Sequence, residues 1–578
     1  MPRSPELPVG VEQRGKGRGL RFVKPYRWIG ELNPIERAKL ERHPFEVASA
    51  IVERYAAQGA ASIHEIPGEQ ERLKWVGLYP QVQGGNAFMM RVKVPGGVLQ
   101  AAQAREIGIA AEAFAEGPED SSVFGNRYAD ITTRQSIQLH WVHIEDVPRM
   151  WQRFADVGIT TVQACGDCAR NVTCCPVSGV DAGETIDALP VARAISDFFT
   201  GNWEYANLPR KFKIGVTGCH EDCARVEIDD VGLWPARAAD GTIGFNVLAG
   251  GGLSDGERMA SDIDVFVRPD QAVELVRAIA QVYGELGNRE HRGLARMRYL
   301  VQELGTEGFR AELERRASIR LEPAGEELTT RQRGDHVGVH PARTPGTVYV
   351  GCSVPVGRLR GIDLVEAARL AESYGDGTVR LTPNQNFVLA GVPERRVDEL
   401  LAEPLLAKYS PFPGPFTRGV VTCTGSEFCR FAVVETKERA VRLARTLDAR
   451  LASGGTDGAA WTGEDVLRIH LSGCSASCAQ PQIADIGLRG EIAHVGDRIE
   501  EAVDVGLGGS LGPDAGFIRW IAGRLPATEL ADAIARVAVA YRDGRRDAEP
   551  FHAWARRHTQ PALRTLVEGH AAATEAIA

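Results

Sequence analysis

Four cysteines in the C-terminal third have a spacing that suits metal chemistry. Cys423 and Cys429 stand in the motif CTGSEFC, and Cys474 and Cys478 stand in GCSASC. Two loops that each supply a pair of thiolates can hold a [4Fe–4S] cluster, because that cluster takes four cysteine ligands. Structural zinc sites use cysteine pairs separated by two to four residues, which fits the second pair but not the first. The spacing therefore favours a cluster, with zinc or buried free thiols as the alternatives.

A group of cationic residues in the N-terminal half is the second candidate for chemistry. Arg91, Arg134, Arg170, Lys211 and Lys213 stand on or beside predicted strands. Alternate residues of a strand share a face, so Lys211 and Lys213 can point the same way. Two ammonium groups on one face repel each other unless an anion lies between them. Any one of these residues alone would be interpreted as a surface charge, but beside a redox cluster the set predicts an anion pocket.

Composition excludes several classes of protein. The chain has 578 residues and a formal net charge of −9, which does not support nucleic-acid binding. It contains no apolar run long enough to span a membrane, and the N-terminal segment lacks the apolar core of a signal peptide. Eleven cysteines are too dilute for a disulfide framework. We expect a protein of the cytoplasm that contacts neither membrane nor nucleic acid, with its thiols reduced or metal-bound.

The chain repeats itself at a spacing of about 250 residues, which indicates two homologous halves related by an approximate twofold axis. Four pairs of segments match in the same order: TTRQSIQLHWV with TPNQNFVLAGV, NVTCCPVSGVD with VVTCTGSEFCR, KIGVTGCHEDCARVEIDDVGL with RIHLSGCSASCAQPQIADIGL, and FNVLAGGGL with VDVGLGGSL. The Gly-rich segments of the last pair occur once in each half and lack a full dinucleotide-binding fingerprint. They therefore favour a shared structural turn.

Alternating strand and helix patterns predict a small α+β unit at the start of each half, followed by a unit that carries the cysteine loops. We expect residues 256–320 to be helical and the C-terminus to end in a helix pair, 527–541 and 549–568. The predicted domains are an N-terminal extension (1–70), two smaller units (71–155 and 340–408) and two cysteine-loop units (156–325 and 409–578), with the junction between the halves near 320–345.

The two halves differ in their cysteines. The first half has Cys174 where the second has Cys423, and Val180 where the second has Cys429, so it lacks a full ligand set of the same geometry. It keeps the C-x3-C pair Cys219 and Cys223, and it also carries Cys168 and Cys175. These thiols are either packed in the core, as free cysteines commonly are, or part of an extra metal site.

The chain resembles the assimilatory siroheme-dependent nitrite and sulfite reductases over nearly its whole length, from about residue 20 to 570. The cysteine quartet, TTRQ followed by Gln138 and His140, RKFK, and CAQ with ADIGLRG come in that family's order. The resemblance implies an α+β fold of two pseudo-twofold-related halves. Each half would have a ferredoxin-like half-domain and a mixed α/β domain that binds siroheme and the cluster.

The resemblance also implies a role for each matched residue. Cys423, Cys429, Cys474 and Cys478 would ligate the cluster, with Cys478 also the axial ligand of the siroheme iron. Siroheme carries eight carboxylates and needs a cationic cradle. The residues that match its contacts are Arg134, Gln138, His140, Asn384, Gln385 and Asn386. Arg91, Arg170, Lys211 and Lys213 match the group around the distal face, where the anion binds.

Two finer features bear on this resemblance. Tyr79 and Cys165 match a pair that mycobacterial-type members join by a thioether, so we expect the two residues to be neighbours, with the bond itself a hypothesis. Ser475 and Ala476 replace residues of the commoner loop GCPNSC, which can alter hydrogen bonds to the cluster sulfurs and hence its potential.

By resemblance, the reaction is the six-electron reduction of nitrite to ammonia, or alternatively of sulfite to sulfide. Since no flavin or nicotinamide domain is evident, reduced ferredoxin is the expected donor, and we expect a monomer. Precorrin-3B synthase, which shares the family's fold, and a non-enzymatic iron–sulfur protein are the remaining readings. The full length and the lysine pair argue against the former, and the basic residues would lack an anionic partner in the latter.

Overall fold

The computed structural model describes residues 31–83, 86–117, 126–254, 256–330, 333–451, 461, 466–495 and 498–569. Residues 1–30 of the predicted N-terminal extension lie outside the described residues. No helix within these ranges combines the length and apolar composition needed to cross a bilayer.

The helices, in chain order, are α1 Pro34–Glu41, α2 Val47–Ala50, α3 Ala56–Gln58, α4 Glu69–Arg72, α5 Ala101–Phe114, α6 Val147–Asp156, α7 Leu189–Phe199, α8 Ala272–Leu286, α9 Met297–Glu314, α10 Gly361–Tyr374, α11 Val397–Leu401, α12 Pro404–Lys408, α13 Pro415–Gly419, α14 Lys437–Leu451, α15 Leu530–Gly544, α16 Phe551–Arg557 and α17 Gln560–Glu568. The strands are β1 Leu78–Pro80, β2 Ala87–Val92, β3 Val98–Gln100, β4 Tyr128–Ile131, β5 Ile137–His143, β6 Thr173–Cys174, β7 Ile214–Val216, β8 Val231–Arg237, β9 Ile243–Ala249, β10 Ser261–Val267, β11 Glu326–Glu327, β12 Gly338–Pro341, β13 Thr347–Cys352, β14 Arg358–Arg360, β15 Thr378–Leu381, β16 Phe387–Pro393, β17 Val420–Thr422, β18 Ile469–Ser472, β19 Ile486–Val495, β20 Arg498–Leu507 and β21 Arg519–Pro526.

The two ferredoxin-like units exchange edge strands. Their sheets have the orders β1-β2-β5-β4-β14 and β12-β13-β16-β15-β3, so each half donates one strand to the sheet of the other. Helices α5 and α10 pack against each other across this exchange. A Cβ on Gly108 would lie 2.5 Å from the Gly361 carbonyl, and a Cβ on Gly361 would lie 2.5 Å from the Gly108 carbonyl, so the close approach requires glycine on both helices. The predicted α+β fold of two related halves is confirmed.

The cysteine-loop units are also built alike. Their sheets run β10-β9-β8-β7-β6 and β21-β20-β19-β18-β17, with parallel pairs at the cysteine end and antiparallel pairs at the other. Each has its own apolar core, under helices α7–α9 in the first and α14–α17 in the second. The short N-terminal helices complete the core of the ferredoxin-like units with Phe45, Ile51, Tyr55 and Trp75.

Three expectations about local elements were wrong. The segment 256–320 is not wholly helical, because the β-branched, alternating Ser261–Val267 pairs with β9 as an edge strand. The segment TVRLTPNQNFVLAGV (378–392), whose pattern predicts one strand, is two strands separated by a turn at Gln385, whose φ is 67°. The final C-terminal helix is divided into α16 and α17, since Pro561 begins a new helix after the cap at Thr559.

Candidate active site

A cavity of about 560 Å³ lies between the two halves. Its walls include the predicted basic residues of the first half, the cysteine quartet of the second half, and three of the polar residues expected to contact siroheme. These residues are Arg91, Arg134, Arg170, Lys211 and Lys213; Cys423, Cys429, Cys474 and Cys478; and Gln138, His140 and Gln385. Its volume is typical of ligand sites. The tertiary structure thus brings together the two groups that the sequence singled out.

Strand register aligns one row of polar residues below the cavity. Arg91 on β2 pairs with Gln138 on β5, which pairs with Asp130 on β4, which pairs with Arg358 on β14. Residues directly opposite on neighbouring strands share a face. Polar and charged side chains therefore extend along one face of the sheet, from Arg91 at the cavity to Arg358 on the strand donated by the second half.

The equivalent row in the second sheet has lost this character. Gly351, Val388, Arg380 and Val98 occupy the matching register positions on β13, β16, β15 and β3. Because only one of these four side chains is charged, the pseudo-twofold axis relates a polar surface to a mostly apolar one. The chemical asymmetry of the halves therefore extends from their cysteines to their sheets.

Lys211 and Lys213 precede β7 rather than lying within it, but they flank the fully buried Phe212 and both line the cavity. Burial lowers the pKa of Lys211 well below its usual value, and Arg296 and Lys213 lower it further. Burial lowers the pKa of Lys213 to about 8, against the opposing effect of Asp229. Within the described residues, neither ammonium has a carboxylate in ion-pair range. An anion in the cavity would relieve this repulsion.

The two arginines of the first half that flank the lysines are held differently. Arg134 donates to both Asp229 oxygens at 2.7 and 3.0 Å and to the Asn171 and Ile214 carbonyls, so its terminal nitrogens are already used. Among the described residues, the Arg170 guanidinium donates only through its Nε, to the Gly166 carbonyl at 2.8 Å. Arg170 is therefore the freer donor of the two towards a ligand.

Arg91, Tyr79 and Cys165 form a contact group at the cavity wall. The Tyr79 hydroxyl and the Cys165 thiol are neighbours, and Arg91 Nη1 lies 3.2 Å from Cys165 Sγ. Burial, followed by the neighbouring Cys165, raises the pKa of Tyr79. The structure thus places the predicted pair side by side. Arg91 lines the cavity, and its Nε is buried without a hydrogen-bond partner among the described residues.

The cysteine quartet comes from two loops at the carboxyl ends of parallel strands. Cys423 follows β17 and Cys474 follows β18, and the Gly473 amide donates to Cys423 Sγ at 3.1 Å. In the described part of the chain, no three of the quartet's sulfurs lie within 4.8 Å of one another. A four-iron cube holds thiolates at separate corners, so this spread suits a cluster better than a single metal ion.

A buried charge network fixes the loop between Cys423 and Cys429. Arg358 donates to both oxygens of Asp130 at 2.8 and 3.0 Å and to Glu427 in the cysteine loop at 2.6 Å. His140 lies 3.3 Å from Asp130 and stacks on Phe428 of the loop at 3.9 Å between ring centroids. Burial lowers the pKa of His140 to about 4, so the ring is neutral. The polar row thereby orients the cluster loop.

Asn384 and Asn386 do not reach the cavity. Asn384 accepts from Arg225, and Asn386 accepts from the Val354 amide at 2.8 Å. Gln385 lines the wall, but its side-chain amide donates to the Ile131 carbonyl and accepts from the Thr422 N–H. Gln385 and Asn386 therefore hold backbone in place, and Asn384 holds the Arg225 side chain.

Sequence reasoning missed several cationic residues of the cavity: Lys74, Arg210, Arg292, Arg296, Arg430 and Lys437. Arg210 stands in the RKFK motif and Arg430 directly follows Cys429, so proximity to known motifs was an available signal. Nothing local marks Lys437, which is buried and donates to the Val356 carbonyl at 2.6 Å.

The cavity suits a large polyanion next to a cluster. It gathers many cationic side chains around few carboxylates, and its aspartate Asp167 is already paired with Arg292 and Arg210. The unpartnered Nε of Arg91 and the two unpaired ammonium groups point to an anionic occupant. The residues present therefore fit siroheme and a small anion together.

A cysteine quartet in one half that faces a set of cationic residues in the other is the arrangement expected of a redox enzyme that acts on an anion. The chain belongs to the nitrite and sulfite reductase family. The family model for the nitrite and sulphite reductase 4Fe–4S domain matches residues 165–321 and 413–571. The model for the nitrite/sulfite reductase ferredoxin-like half domain matches residues 79–157 and 340–407.

Relatives carry names from both branches of that family. The chain is 42% identical to the assimilatory ferredoxin-dependent nitrite reductase of Haloferax mediterranei, covering 87% of this chain and 88% of the relative. It is 34% identical to sulfite reductase [ferredoxin] 1 of Mycolicibacterium paratuberculosis, covering 92% and 96%. Among solved structures, the Mycobacterium tuberculosis NirA protein matches with a TM-score of 0.85 and 32% identity, covering 93% and 98%.

Proposed function

We propose that the protein reduces nitrite to ammonia with electrons from ferredoxin, using siroheme coupled to a [4Fe–4S] cluster. The observation that carries the proposal is the single cavity in which the basic residues of one half face the cysteine quartet of the other. Relatives named as nitrite reductases reach 42% and 40% identity, against 34% for the sulfite reductase, which supports nitrite as the substrate.

In this proposal, Cys423, Cys429, Cys474 and Cys478 would hold the cluster, and Cys478 would also bind the siroheme iron. Cys478 suits both roles because it is the exposed member of the quartet and lies on the cavity wall. Arg134, Gln138 and His140 would contact the siroheme. Gln385 and Asn386 would act indirectly by fixing backbone, and Asn384 would act through Arg225. When bound, the coupled cofactors supply the electrons and the iron at which the anion is reduced.

The side chains of the protein would bind the anion, stabilise negative charge on its oxygens and donate protons. Arg91, Arg170, Lys211 and Lys213 would donate charge-assisted hydrogen bonds to the oxygens of the anion. Fixed cations stabilise negative charge that develops on a leaving oxygen without reorganising at that moment. Lys211 and Lys213, whose pKa values are lowered by burial, give up a proton more readily than an exposed lysine. They are the proton donors of the proposal.

The proposal also includes a cytoplasmic location, an electron donor and an oligomeric state. None of the eleven cysteines forms a disulfide in the described residues, which suits the reducing cytoplasm that we propose for this protein. We propose reduced ferredoxin as the donor, in keeping with the names of the relatives, and a monomer as the working form.

Sulfite is the second candidate substrate. The Tyr79–Cys165 contact favours it, because that pair matches the mycobacterial-type members of the family. The contact also supports a thioether between the two residues as a proposal, which a peptide map would test. A separately alkylated Cys165 would contradict the thioether.

The test is a steady-state comparison of the two anions. The purified protein is first examined for tetrapyrrole bands in its visible spectrum, and then assayed with reduced ferredoxin and either nitrite or sulfite. We expect siroheme absorption and a higher kcat/KM for nitrite. A higher kcat/KM for sulfite would reassign the substrate, whereas absence of tetrapyrrole bands would exclude both activities.

A further inference from the structure

A second group of metal-ligand side chains lies in the first half, apart from the proposed cofactor cavity. Cys175, Cys223 and His336 place one ligand atom each within 4.8 Å of one another, and all three side chains are buried. None of them lines the cavity. Cys219 is fully buried in the same cluster, beside Cys175. Three ligand atoms that meet, with a fourth thiol next to them, therefore lie where the reductase chemistry does not need them.

We infer that Cys175, Cys219, Cys223 and His336 bind a structural zinc ion. Three cysteines and one histidine are a frequent ligand set for structural zinc, and such sites are closed to solvent. Cys219 and Cys223 have the C-x3-C spacing that zinc pairs use. This inference does not depend on which anion the enzyme reduces.

The distances agree with tetrahedral zinc. Cys223 Sγ and Cys175 Sγ lie 3.0 and 3.7 Å from His336 Nε2. A tetrahedral ion with ordinary bond lengths separates a sulfur and a nitrogen ligand by about 3.6 Å. These three atoms need only small shifts to receive the ion. The Cys219 side chain lies beside Cys175 and must rotate towards the other three ligand atoms to become the fourth ligand.

Surrounding groups orient the ligands as they do at metal sites. The Tyr349 hydroxyl lies 3.3 Å from His336 Nδ1, so a hydrogen bond there fixes the ring and leaves Nε2 towards the sulfurs. The backbone of Gly334 lies next to the Cys223 thiol and that of Glu221 next to the Cys219 thiol, and each lowers the pKa of its neighbouring thiol. Amide donors stabilise thiolates. The loop must approach closely, because a Cβ on Gly334 would lie 3.3 Å from Cys223 Sγ.

The proposed zinc site lies between two structural units of the protein. Cys219 and Cys223 are the duplicated counterparts of the cluster ligands Cys474 and Cys478, and the neighbouring Val388 and Ala390 are the counterparts of Gln138 and His140. The first half thus retains thiols where the second half holds its cluster. His336 comes from the segment before β12, so the ion would join the first cysteine-loop unit to the second ferredoxin-like unit.

The experiment measures zinc and its ligands in the complete, cofactor-loaded protein. Elemental analysis should find about one zinc ion per chain besides the iron. X-ray absorption at the zinc edge should fit three sulfurs at about 2.3 Å and one nitrogen at about 2.0–2.1 Å. Because this second measurement uses the wild-type protein, it does not depend on whether any variant folds.

Variants then assign the ligands. Cys223→Ser and His336→Gln should each lose most of the zinc while keeping iron, whereas Cys352→Ala, another buried thiol on β13, should keep both metals. Cys219→Ser should lower zinc content if it is the fourth ligand. A zinc-free native protein, a Cys175–Cys219 disulfide in its peptide map, or full zinc in both Cys223→Ser and His336→Gln would overturn the inference.

Discussion

Gln135 and Gln385 interlock the two halves through reciprocal hydrogen bonds. Gln135 Nε2 donates to the Leu381 carbonyl at 2.8 Å, and Gln385 Nε2 donates to the Ile131 carbonyl at 3.0 Å. Each Oε1 accepts the backbone N–H of the last residue of a strand that leads into a cysteine loop: Cys174 of β6 in one half and Thr422 of β17 in the other, both at 2.9 Å. Both residues have positive φ and are buried. Each half therefore depends on the other for the placement of its cysteine loop.

The first prediction concerns this interlock. Gln135→Ala and Gln385→Ala each leave buried backbone groups without partners, which costs about 1–3 kcal/mol per group. We expect each variant to lower the midpoint of thermal unfolding measurably. Gln58→Ala, at an exposed position, should change stability by less than about 0.5 kcal/mol. Equal midpoints for all three variants would show that the interlock does not stabilise the fold.

The second prediction concerns the Asp130 network. Asp130→Asn removes the charge that balances buried Arg358 and Lys437. Breaking a buried pair in this way costs about 3–5 kcal/mol. Asp240→Asn, in an exposed pair with Arg268, should cost much less, because water screens that pair. Urea denaturation followed by circular dichroism compares the two, and a similar loss in both would contradict the role given to the buried network.

The third prediction concerns anion binding. Lys211→Met and Lys213→Met each remove one cation from the pocket but keep the length of the side chain. Loss of one such preorganised donor lowers the rate by about 10²–10³-fold, and we expect that fall in kcat/KM for the anion. Lys408→Met is the control, because this ammonium lies far from the cavity and bonds to Asp363. Siroheme content, measured from the spectrum, must remain equal in the compared proteins.

The fourth prediction concerns the cluster ligands. Cys478→Ser replaces the proposed bridging thiolate with a poorer ligand, and we expect turnover of the anion to be abolished. Electron paramagnetic resonance of the reduced protein should report an altered or missing cluster. Cys352→Ala, a buried thiol outside the quartet, should keep the cluster signal and its activity. Wild-type turnover by Cys478→Ser would refute the proposed coupling.

The fifth prediction concerns stability in acid. His43 is buried, accepts the Phe45 amide through Nδ1 and stacks on Trp203, and burial lowers its pKa to about 4. The unfolded histidine binds its proton near pH 6.5. The stabilising contribution of neutral His43 is therefore complete above pH 6.5 and is lost as the pH falls towards 4.

That difference in pKa corresponds to about 3 kcal/mol between the two pH values. Thermal unfolding of the wild type should show a steeper loss of stability from pH 6.5 to 4 than His43→Gln, which has no such proton to bind. His64→Gln changes an exposed ring and should follow the wild-type curve. Parallel curves for the wild type and His43→Gln would contradict the buried, neutral state of His43.

The sequence by itself established the duplicated halves, the cysteine quartet and the basic set, because each is a matter of residue type and spacing along the chain. It could not show that Arg134 is committed to Asp229, that Asn384 and Asn386 lie behind the cavity wall, or that Lys437 lines it. It left the extra thiols of the first half between two interpretations.

Only the tertiary structure decided these points, since they depend on contacts between distant residues. Cys175 meets a histidine 161 positions away, and the polar row from Arg91 to Arg358 exists only through strand register across both halves. A side chain's partner is fixed by which strands pair and in what register, and that choice is made by the packing of the whole chain rather than by local sequence.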